Sequence, residues 1–256
     1  SDTIQVEGPA GHRTLTFAKA AVCTGARASA PPTPGLHEAG YLTNETVFSL
    51  TELPQRIGVI GAGPIGCELA QSFARFGSQV YLIEAMHGVM PNEDRDAADI
   101  VEQQMVRDGV KLLCCGKDLK VDKTNDGKRL TVGSHGQQYN VTVDDILVGV
   151  GRTPNVEKIG LEAAGVHYDK NGIKVNAKLQ TSNPNIYAAG DVCSRYKFTH
   201  AADAMAQIVI QNALFPHPLN LGYANVDALV MPWCTFTEPE VAHVGMYEKE
   251  AKQKGF

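Results

Sequence analysis

The stretch from residue 57 to residue 84 constrains the fold more than any other part of the sequence. A short apolar run, Ile57 to Ile60, leads into the glycine-rich segment Gly61-Ala62-Gly63-Pro64-Ile65-Gly66. A segment with helical spacing follows, Gly77 is placed to end it, and a second apolar run leads to Glu84. A glycine turn between an apolar run and a helix is typical of a strand–helix–strand unit. The stretch therefore predicts a parallel sheet in an α/β fold.

The glycines of this segment have different tasks when they stand between a strand and a helix. The first makes the tight turn, the second lets a pyrophosphate approach the backbone, and the third lets the helix pack closely on the strand. The N-terminus of the helix then presents N–H groups to the phosphates. The pattern favours dinucleotide binding over a plain tight turn, and the residues expected to bind are Gly61, Gly63, Pro64, Ile65 and Gly66.

Glu84 ends the second apolar run, where an acid accepts hydrogen bonds from the adenosine ribose hydroxyls of a bound dinucleotide. A 2′-phosphate on that ribose would meet like charge, and Ala85, Met86 and His87 supply no arginine to bind it. The sequence therefore predicts NAD(H) rather than NADP(H). The alternative is that Glu84 is a solvated acid at a strand end.

The remaining elements are predicted from apolar spacing and turn residues. Alternating runs on either side of residues 8–11 predict a β-hairpin, and three alternating runs between residues 119 and 143 predict an antiparallel meander. Helices are expected over residues 94–109, 201–214 and 248–254. The apolar stripes expected on the first two helices after the glycine-rich segment are Leu69, Phe73 and Phe76, and then Ile100, Val101, Met105 and Val106.

Composition and charge exclude several classes of function. The chain is 43% hydrophobic and 20% charged, with a formal net charge of -5, so neither nucleic acid nor an anionic membrane is an expected partner. No stretch approaches the roughly 18 apolar residues of a membrane span, and the polar start does not resemble a signal peptide. The six cysteines contain no C-x-x-C pair, which favours reduced thiols in a cytoplasmic protein. The adjacent Cys114 and Cys115 are interpreted as buried inert thiols rather than a redox couple, and no metal site is predicted.

Four further motifs follow one another along the chain. They are C-T-G-A-R at residues 23–27, G-R-T-P-N at residues 151–155, I-Y-A-A-G-D at residues 186–191 and W-C-T-F-T-E-P-E-V-A-H-V-G at residues 233–245. Their order resembles that of the pyridine nucleotide-disulfide oxidoreductases, the family of glutathione reductase, dihydrolipoamide dehydrogenase and mercuric reductase. In that family the first two motifs are the turns where the chain leaves and re-enters the flavin domain.

The resemblance implies a domain arrangement within the α/β class. Residues 55–152 would form a Rossmann-like NAD domain, with a parallel sheet plus an antiparallel meander. This domain would be inserted into a partial FAD domain of the same type, made of residues 1–54 and 153–225. Residues 226–256 would begin an α+β interface domain, through which the family forms homodimers.

The resemblance also implies roles for single residues. Asp191 would accept a hydrogen bond from a ribityl hydroxyl of FAD, and Thr199 would precede a helix whose N-terminus points at the flavin; capping of that helix by Thr199 or His200 is the plainer alternative. The other expected FAD residues are Thr24, Gly25 and Arg152.

Glu68 and Gly151 are assigned to the nicotinamide end by the same resemblance. Glu68 would lie near the nicotinamide and flavin, unpaired because its lysine partner in the family has no counterpart in this sequence; the alternative is an acid favoured by the helix dipole. Gly151 would let the nicotinamide or its ribose approach the backbone, or would serve only as a turn glycine.

Three features of the family have no counterpart in this sequence. A G-x-G-x-x-G segment for the FAD pyrophosphate, a pair of cysteines separated by four residues, and the C-terminal His-Glu base are all missing. The chain is therefore expected to be truncated at both ends and to contain no catalytic residue of its own.

The predicted function is that of an FAD-dependent oxidoreductase. It would pass hydride from NADH to flavin and on to a small molecule or small disulfide, as mercuric reductase or dihydrolipoamide dehydrogenase does, and the string from Tyr196 to Ala204 is most similar to the mercuric reductases. The chain by itself is expected to be inactive. The alternatives are a non-catalytic NAD-binding module and a self-standing NAD dehydrogenase, although no tyrosine has a lysine four residues on, as the short-chain dehydrogenase pattern requires.

Overall fold

The computed structural model describes residues 2–9 and 11–256. The strands are β1 (Thr3–Gly8), β2 (Gly11–Thr16), β3 (Ala20–Val22), β4 (Ala26–Ala28), β5 (Arg56–Ile60), β6 (Gln79–Ile83), β7 (Lys111–Leu113), β8 (Lys117–Thr124), β9 (Gly127–Ser134), β10 (Gln137–Val143), β11 (Asp145–Val148), β12 (Arg152–Pro154), β13 (Tyr168–Asp169), β14 (Gly172–Ile173), β15 (Ile186–Ala188), β16 (Trp233–Thr235) and β17 (Val241–His243). The α-helices are α1 (Leu36–Ala39), α2 (Pro64–Arg75), α3 (Arg95–Arg107), α4 (Thr199–Leu214) and α5 (Glu248–Gln253).

The chain divides into two compact units. The flavin-motif unit contains the described residues up to Arg27 together with Arg152–Met231, and the nucleotide unit contains Ala28–Gly151 together with Pro232–Phe256. Residues 28–54 and 232–256 thus belong to the unit that holds the glycine-rich segment, whereas the sequence placed domain boundaries at residues 54 and 226.

The nucleotide unit is built on a parallel sheet with the strand order β11-β5-β6-β7. Alternate side chains of these strands enter two different cores, as the two-residue period of a strand requires. Val59 and Leu82 pack with the helices α2 and α3, while Ile60 and Ile83 pack with the meander. Because both faces are covered, the strands are apolar after a polar first residue, and these apolar runs identified β5 and β6 in the sequence. The predicted α/β fold is confirmed.

The antiparallel meander β8–β9–β10 covers the second face of the parallel sheet. Leu130 and Val132 of β9 and Val143 of β10 are fully buried there, in the same core as Ile146 of β11. The turn of His135 and Gly136 between β9 and β10 has positive φ at both residues, the conformation that suits a two-residue hairpin. The predicted meander is confirmed.

The buried faces of the first two long helices differ from the predicted stripes. On α2, Cys67 and Ala70 are fully buried, and Phe76, which follows the last helical residue, is 70% exposed. On α3, Val101 and Met105 are buried, while Ile100 and Val106 are exposed. The first difference has a physical cause: a Cβ added to Gly66 would stand only 1.9 Å from the carbonyl oxygen of Gly61. So close a contact between helix and strand leaves room only for small side chains, and Leu69 and Phe73 pack at the edge of the core.

The flavin-motif unit has a smaller core around the parallel pair β3–β15, in which Ala20 pairs with Ile186. Tyr187 of β15 packs with Met205 and Ile208 of α4. The predicted hairpin is also present, since Thr3 of β1 pairs with Thr16 of β2. In the part of the chain that the structure describes, no helix has both the length and the apolar character needed to cross a membrane.

Candidate functional site

A cleft of about 540 Å³ lies in the nucleotide unit, where the parallel strands reach their carboxyl ends. In sheets of this kind ligands bind at that edge. Six of the residues that the sequence assigned to NAD(H) line the cleft. They are Gly61, Gly63, Pro64, Ile65, Glu84 and Gly151.

Two of the loop glycines are required by packing. Gly61 has φ +98°, and a Cβ there would lie 2.8 Å from the carbonyl oxygen of Gly149. Gly66 packs directly against Gly61, because a Cβ added to Gly66 would lie 1.9 Å from the carbonyl oxygen of Gly61. These contacts explain the first and third glycines without any ligand.

Gly63 differs from both, because no packing contact explains it. Its φ is -72°, which any residue adopts, and a Cβ added there would meet no atom within 4 Å. Gly63 is also the N-cap of α2, Pro64 follows at the first helical position, and no side-chain hydrogen bond caps the helix. Neither strain nor packing within the protein thus requires glycine at position 63, which lies beside the N–H groups of the first turn of α2. Such a position fits a pyrophosphate held against the backbone.

Glu84 is 9% exposed and is held in place through both carboxylate oxygens. Oε2 accepts a hydrogen bond of 2.7 Å from the backbone N–H of Ala62, and Oε1 accepts one of 2.8 Å from the N–H of Met86. It is therefore not a solvated strand-end acid. Each ionised oxygen has a further lone pair, so the carboxylate can also accept from ribose hydroxyls. No lysine or arginine is among the described residues that line the cleft.

Glu68 does not line the cleft, and its carboxylate has a hydrogen-bond partner, although not the lysine that pairs with it in the family. Its Oε1 accepts a hydrogen bond of 2.8 Å from the backbone N–H of Phe236 in the same unit. The sequence analysis missed this partner, since Phe236 lies far along the chain, just after β16. Gly151 lines the cleft with φ +117°, so its turn requires glycine whether or not a ligand binds.

The turns at residues 23–27 and 151–155 are joined inside the flavin-motif unit. The hydroxyl of Thr24 donates to the carbonyl oxygen of Asn155 at 2.7 Å, and the side-chain amide of Asn155 donates to the carbonyl oxygen of Thr24. Arg27 forms an ion pair of 2.9 Å with Glu157 and lowers the pKa of that carboxyl to about 2. Gly25 has φ +67°. Thr24 and Gly25 thus have structural tasks, and Asn155 and Glu157 are partners that the motif alone did not reveal.

Asp191 and Arg152 lie together in the flavin-motif unit. The Nε atom of Arg152 is 3.1 Å from Oδ2 of Asp191 without hydrogen-bond alignment, so the contact is an ion pair. The Nη2 atom of Arg152 donates to the carbonyl oxygen of Ala26. Lys197 donates to the backbone oxygen of Asp191 at 2.8 Å, and burial lowers the pKa of its amine. Lys197 is a charged neighbour that the sequence analysis did not single out.

Thr199 is the first residue of α4 and is exposed, and Phe198 is the N-cap. The alternative that Thr199 or His200 caps this helix was therefore wrong. The helix begins two residues earlier than predicted, and no side-chain hydrogen bond caps it.

The six cysteines are free thiols. Burial raises the pKa of Cys67 and of Cys193 to about 12, so neither forms a thiolate at neutral pH. Cys114 is buried and Cys115 is half-buried.

Comparison with known proteins identifies the family. Residues 2–206 match the family described as pyridine nucleotide-disulphide oxidoreductase. The chain is 35% identical to a mercuric reductase of Staphylococcus aureus over 99% of its length, and 38% identical to a dihydrolipoyl dehydrogenase of Thermus scotoductus over 80%. Among solved structures, it resembles the Cu(II) complex of the HOCl-induced flavoprotein disulfide reductase RclA from Escherichia coli, with a TM-score of 0.86 and 30% identity over 99% of this chain.

The matched relatives are longer than this chain. It spans 45% of the mercuric reductase, 43% of the dihydrolipoyl dehydrogenase and 56% of the RclA chain. The family match nevertheless extends over most of the sequence and includes the glycine-rich segment and both turn motifs. The chain belongs to the pyridine nucleotide-disulphide oxidoreductase family.

Proposed function

We propose that the nucleotide unit binds NAD(H) in the cleft at the carboxyl ends of its parallel strands. The observation that carries this proposal is the position of Gly63, which lines the cleft with open space where a Cβ would stand. The N–H groups of the first turn of α2 would hold the pyrophosphate there. Glu84 would accept hydrogen bonds from the adenosine ribose, and its fixed negative charge disfavours the 2′-phosphate of NADPH.

The proposed activity of the whole protein is that of an FAD-dependent oxidoreductase. When bound, NADH supplies a hydride and the flavin accepts it, and the acceptor is a disulfide or a dithiol-linked substrate. Asp191 and the N-terminus of α4 would hold the flavin in the flavin-motif unit, where a helix dipole stabilises negative charge. Arg152 would hold the Asp191 carboxylate in position through their ion pair. Thr24 and Gly25 would support this arrangement by fixing the turn that joins Asn155.

This proposal rests on relatives that are about twice as long as the chain. Residues outside these 256 would supply the FAD pyrophosphate loop and the redox-active cysteines, and the chain alone would have no steady disulfide reductase activity. The whole protein would act as a cytoplasmic homodimer on a small molecule or a small disulfide. Mercuric reductase-like and dihydrolipoamide dehydrogenase-like acceptors both fit this proposal.

A non-catalytic NAD-binding module is the second candidate. It is favoured by the cysteines of this sequence, none of which are separated by four residues. Titration of the chain with NADH and with FAD tests both candidates. Both expect these 256 residues to bind NADH without retaining FAD, since residues outside them would complete the flavin site of the enzyme. Tight FAD binding at one per chain, with NADH-dependent reduction of the flavin, would contradict both.

The Gly63→Ala variant tests the nucleotide site directly. The added methyl group occupies open space at an ordinary φ. The entropy that it removes from the unfolded chain is offset by the poorer capping of α2 by alanine, so the free energy of unfolding should change by less than about 1 kcal/mol. It nevertheless obstructs the pyrophosphate, and we expect the affinity for NADH, measured by calorimetric titration, to fall by about tenfold or more.

Gly8→Ala is the matched control, because a Cβ at Gly8 also meets no atom within 4 Å and its φ is not positive. Its NADH affinity should equal that of the unmodified chain. Equal NADH affinity in the Gly63→Ala variant would refute the proposed site, and failure of the unmodified chain to bind NADH would refute the proposed function.

A further inference from the structure

A cluster of sulfur and nitrogen ligand atoms lies in the nucleotide unit, at the end of β7. The ligand atoms of His87, Cys114 and Cys115 all lie within 4.8 Å of one another. The Nδ1 atom of His87 is 3.7 Å from the sulfur of Cys115. A tetrahedral ion with metal–sulfur bonds near 2.3 Å holds its ligand atoms about 3.8 Å apart. The cluster is therefore close to the dimensions of a metal site without large movement.

His135 of the meander is the candidate for a fourth ligand. Its Nε2 atom, in the turn between β9 and β10, lies 3.1 Å from the sulfur of Cys114. His135 is outside the group whose ligand atoms all lie within 4.8 Å of one another, so its side chain would have to move when an ion binds. Both histidines are exposed, Cys115 is half-buried and Cys114 is buried. The cluster thus opens to solvent on the histidine side, where an ion could enter, and is closed on the side of Cys114.

Hydrogen bonds outside the side-chain cluster fix the three segments that carry it. The N–H of Cys115 donates to the carbonyl oxygen of Met86 at 2.8 Å, which ties β7 to the His87 loop. The hydroxyl of Ser134 donates to the carbonyl oxygen of Cys114 at 2.6 Å, which ties β7 to the His135 turn. Ligands held by backbone contacts need little reorganisation on binding, which is the condition for a well-formed metal site.

We infer that Cys114, Cys115, His87 and His135 form a binding site for one thiophilic d10 cation of the Zn²⁺ or Cu⁺ type. Two thiolates and two imidazoles are the ligand set of tetrahedral zinc sites, and they select against Mg²⁺ and Ca²⁺, which require oxygen ligands. The adjacent cysteines, which the sequence analysis interpreted as inert, acquire this role only because the fold brings two histidines to them. Nucleotide binding at the cleft does not depend on this site, so either proposal can fail alone.

Cobalt is the probe for the test, because tetrahedral Co²⁺ bound to thiolates has intense visible bands and octahedral Co²⁺ does not. The 256-residue chain, kept reduced without oxygen, is titrated with Co²⁺ and then with Zn²⁺. We expect one Co²⁺ per chain with a tetrahedral thiolate spectrum, displaced by one equivalent of Zn²⁺. Back-titration with Cu⁺ in place of Zn²⁺ shows which of the two ions the site prefers.

Substitutions assign the spectrum to these residues. The Cys114→Ser and Cys115→Ser variants should lose the thiolate-to-cobalt band, and His87→Gln and His135→Gln should weaken binding by about tenfold or more. Cys23→Ser is the matched control, since Cys23 is an exposed thiol outside the nucleotide unit, and it should bind Co²⁺ unchanged.

X-ray absorption of the unmodified zinc-loaded chain keeps the proposal testable if a variant fails to fold. Two sulfur and two nitrogen ligands are expected. The proposal is overturned by an octahedral spectrum, by more than one bound ion of equal affinity, by a zinc shell with fewer than two sulfurs, or by unchanged binding in a folded Cys114→Ser variant.

Discussion

The glycines of the loop between β5 and α2 are alike in sequence but not in their surroundings. Gly61 and Gly66 press on backbone atoms, and Gly63 faces open space. Sequence spacing identifies all three as one motif. Only their packing in the structure distinguishes Gly61 and Gly66, which the fold requires, from Gly63, which is available to a ligand. The same holds for Glu84, whose position at a strand end was predictable, whereas its two backbone hydrogen bonds were not.

The charge of Glu84 should set the preference for NADH over NADPH. In the Glu84→Gln variant the side chain keeps its size but no longer repels a 2′-phosphate. We expect the ratio of the NADPH to the NADH dissociation constant to fall by about tenfold, which corresponds to about 1.4 kcal/mol of lost discrimination. Calorimetric titration with both nucleotides measures the ratio, and a general loss of stability does not change it.

Glu68→Gln is the control for this prediction, because Glu68 is a half-buried acid of the same unit that does not line the cleft. The ratio of the NADPH to the NADH dissociation constant in this variant should equal that of the unmodified chain. If Glu84→Gln reduced both affinities equally and left the ratio of dissociation constants unchanged, the Glu84 carboxylate would not distinguish the ribose of NADH from that of NADPH.

The buried thiol of Cys67 should make the free energy of unfolding depend on pH in the alkaline range. Burial raises the pKa of its thiol from 9.0 to about 12, so between these values the unfolded chain loses a proton that the folded chain keeps. The stabilising contribution is complete below pH 9, and the free energy of unfolding should fall as the pH rises from 9 towards 12. Urea titrations at pH 8 and pH 10 measure this change, and Cys67→Ala should reduce it.

Alkylation provides the second readout for the same residue. Mass spectrometry after treatment with iodoacetamide should find Cys23, which is exposed, modified first and Cys67 unmodified until the chain unfolds. Rapid modification of Cys67 in the folded chain would contradict its burial.

At the level of elements, periodicity predicted which segments fold and misjudged which faces are buried. The helices α2 and α3, the hairpin and the meander were all predictable, because each repeats an apolar spacing between turn residues. The buried face of α2 was not, because large apolar residues marked the predicted stripe, whereas the buried residues of the helix are Gly66, Cys67, Ala70 and Gln71. Helix propensity and apolar spacing do not indicate how closely a helix approaches the sheet.

Helix α3 offers a matched pair of valines to test the assignment of faces. Val101 is fully buried and Val106 is 55% exposed on the same helix. Val101→Ala should lower the free energy of unfolding by about 2 kcal/mol through lost burial and a cavity, whereas Val106→Ala should change it by less than about 0.5 kcal/mol. Urea unfolding of both variants measures the difference, and equal effects would contradict the orientation of α3.

At the level of the whole molecule, the chain changes from one compact unit to the other after Arg27, after Gly151 and after Met231. The first two of these positions lie in turn motifs that the resemblance assigned to domain crossings, although the domain arrangement expected from the same resemblance put the first boundary after residue 54. The proposed nucleotide site was largely predictable, because its residues follow one another along the sequence. The sulfur–histidine cluster was not, because His87, Cys114 and His135 come from three segments that only the strand order brings together.

Hydrogen exchange of the chain with and without saturating NADH tests the central claim, that the cleft at the carboxyl ends of β5, β6 and β11 binds the dinucleotide. Ligand binding slows exchange of the amides that it covers or stabilises. The account predicts slower exchange in peptides that contain residues 61–66, 84–86 and 149–151, with no change in the β1–β2 hairpin. NADH binding that leaves residues 61–66 unprotected, or that protects the flavin-motif unit alone, would contradict it.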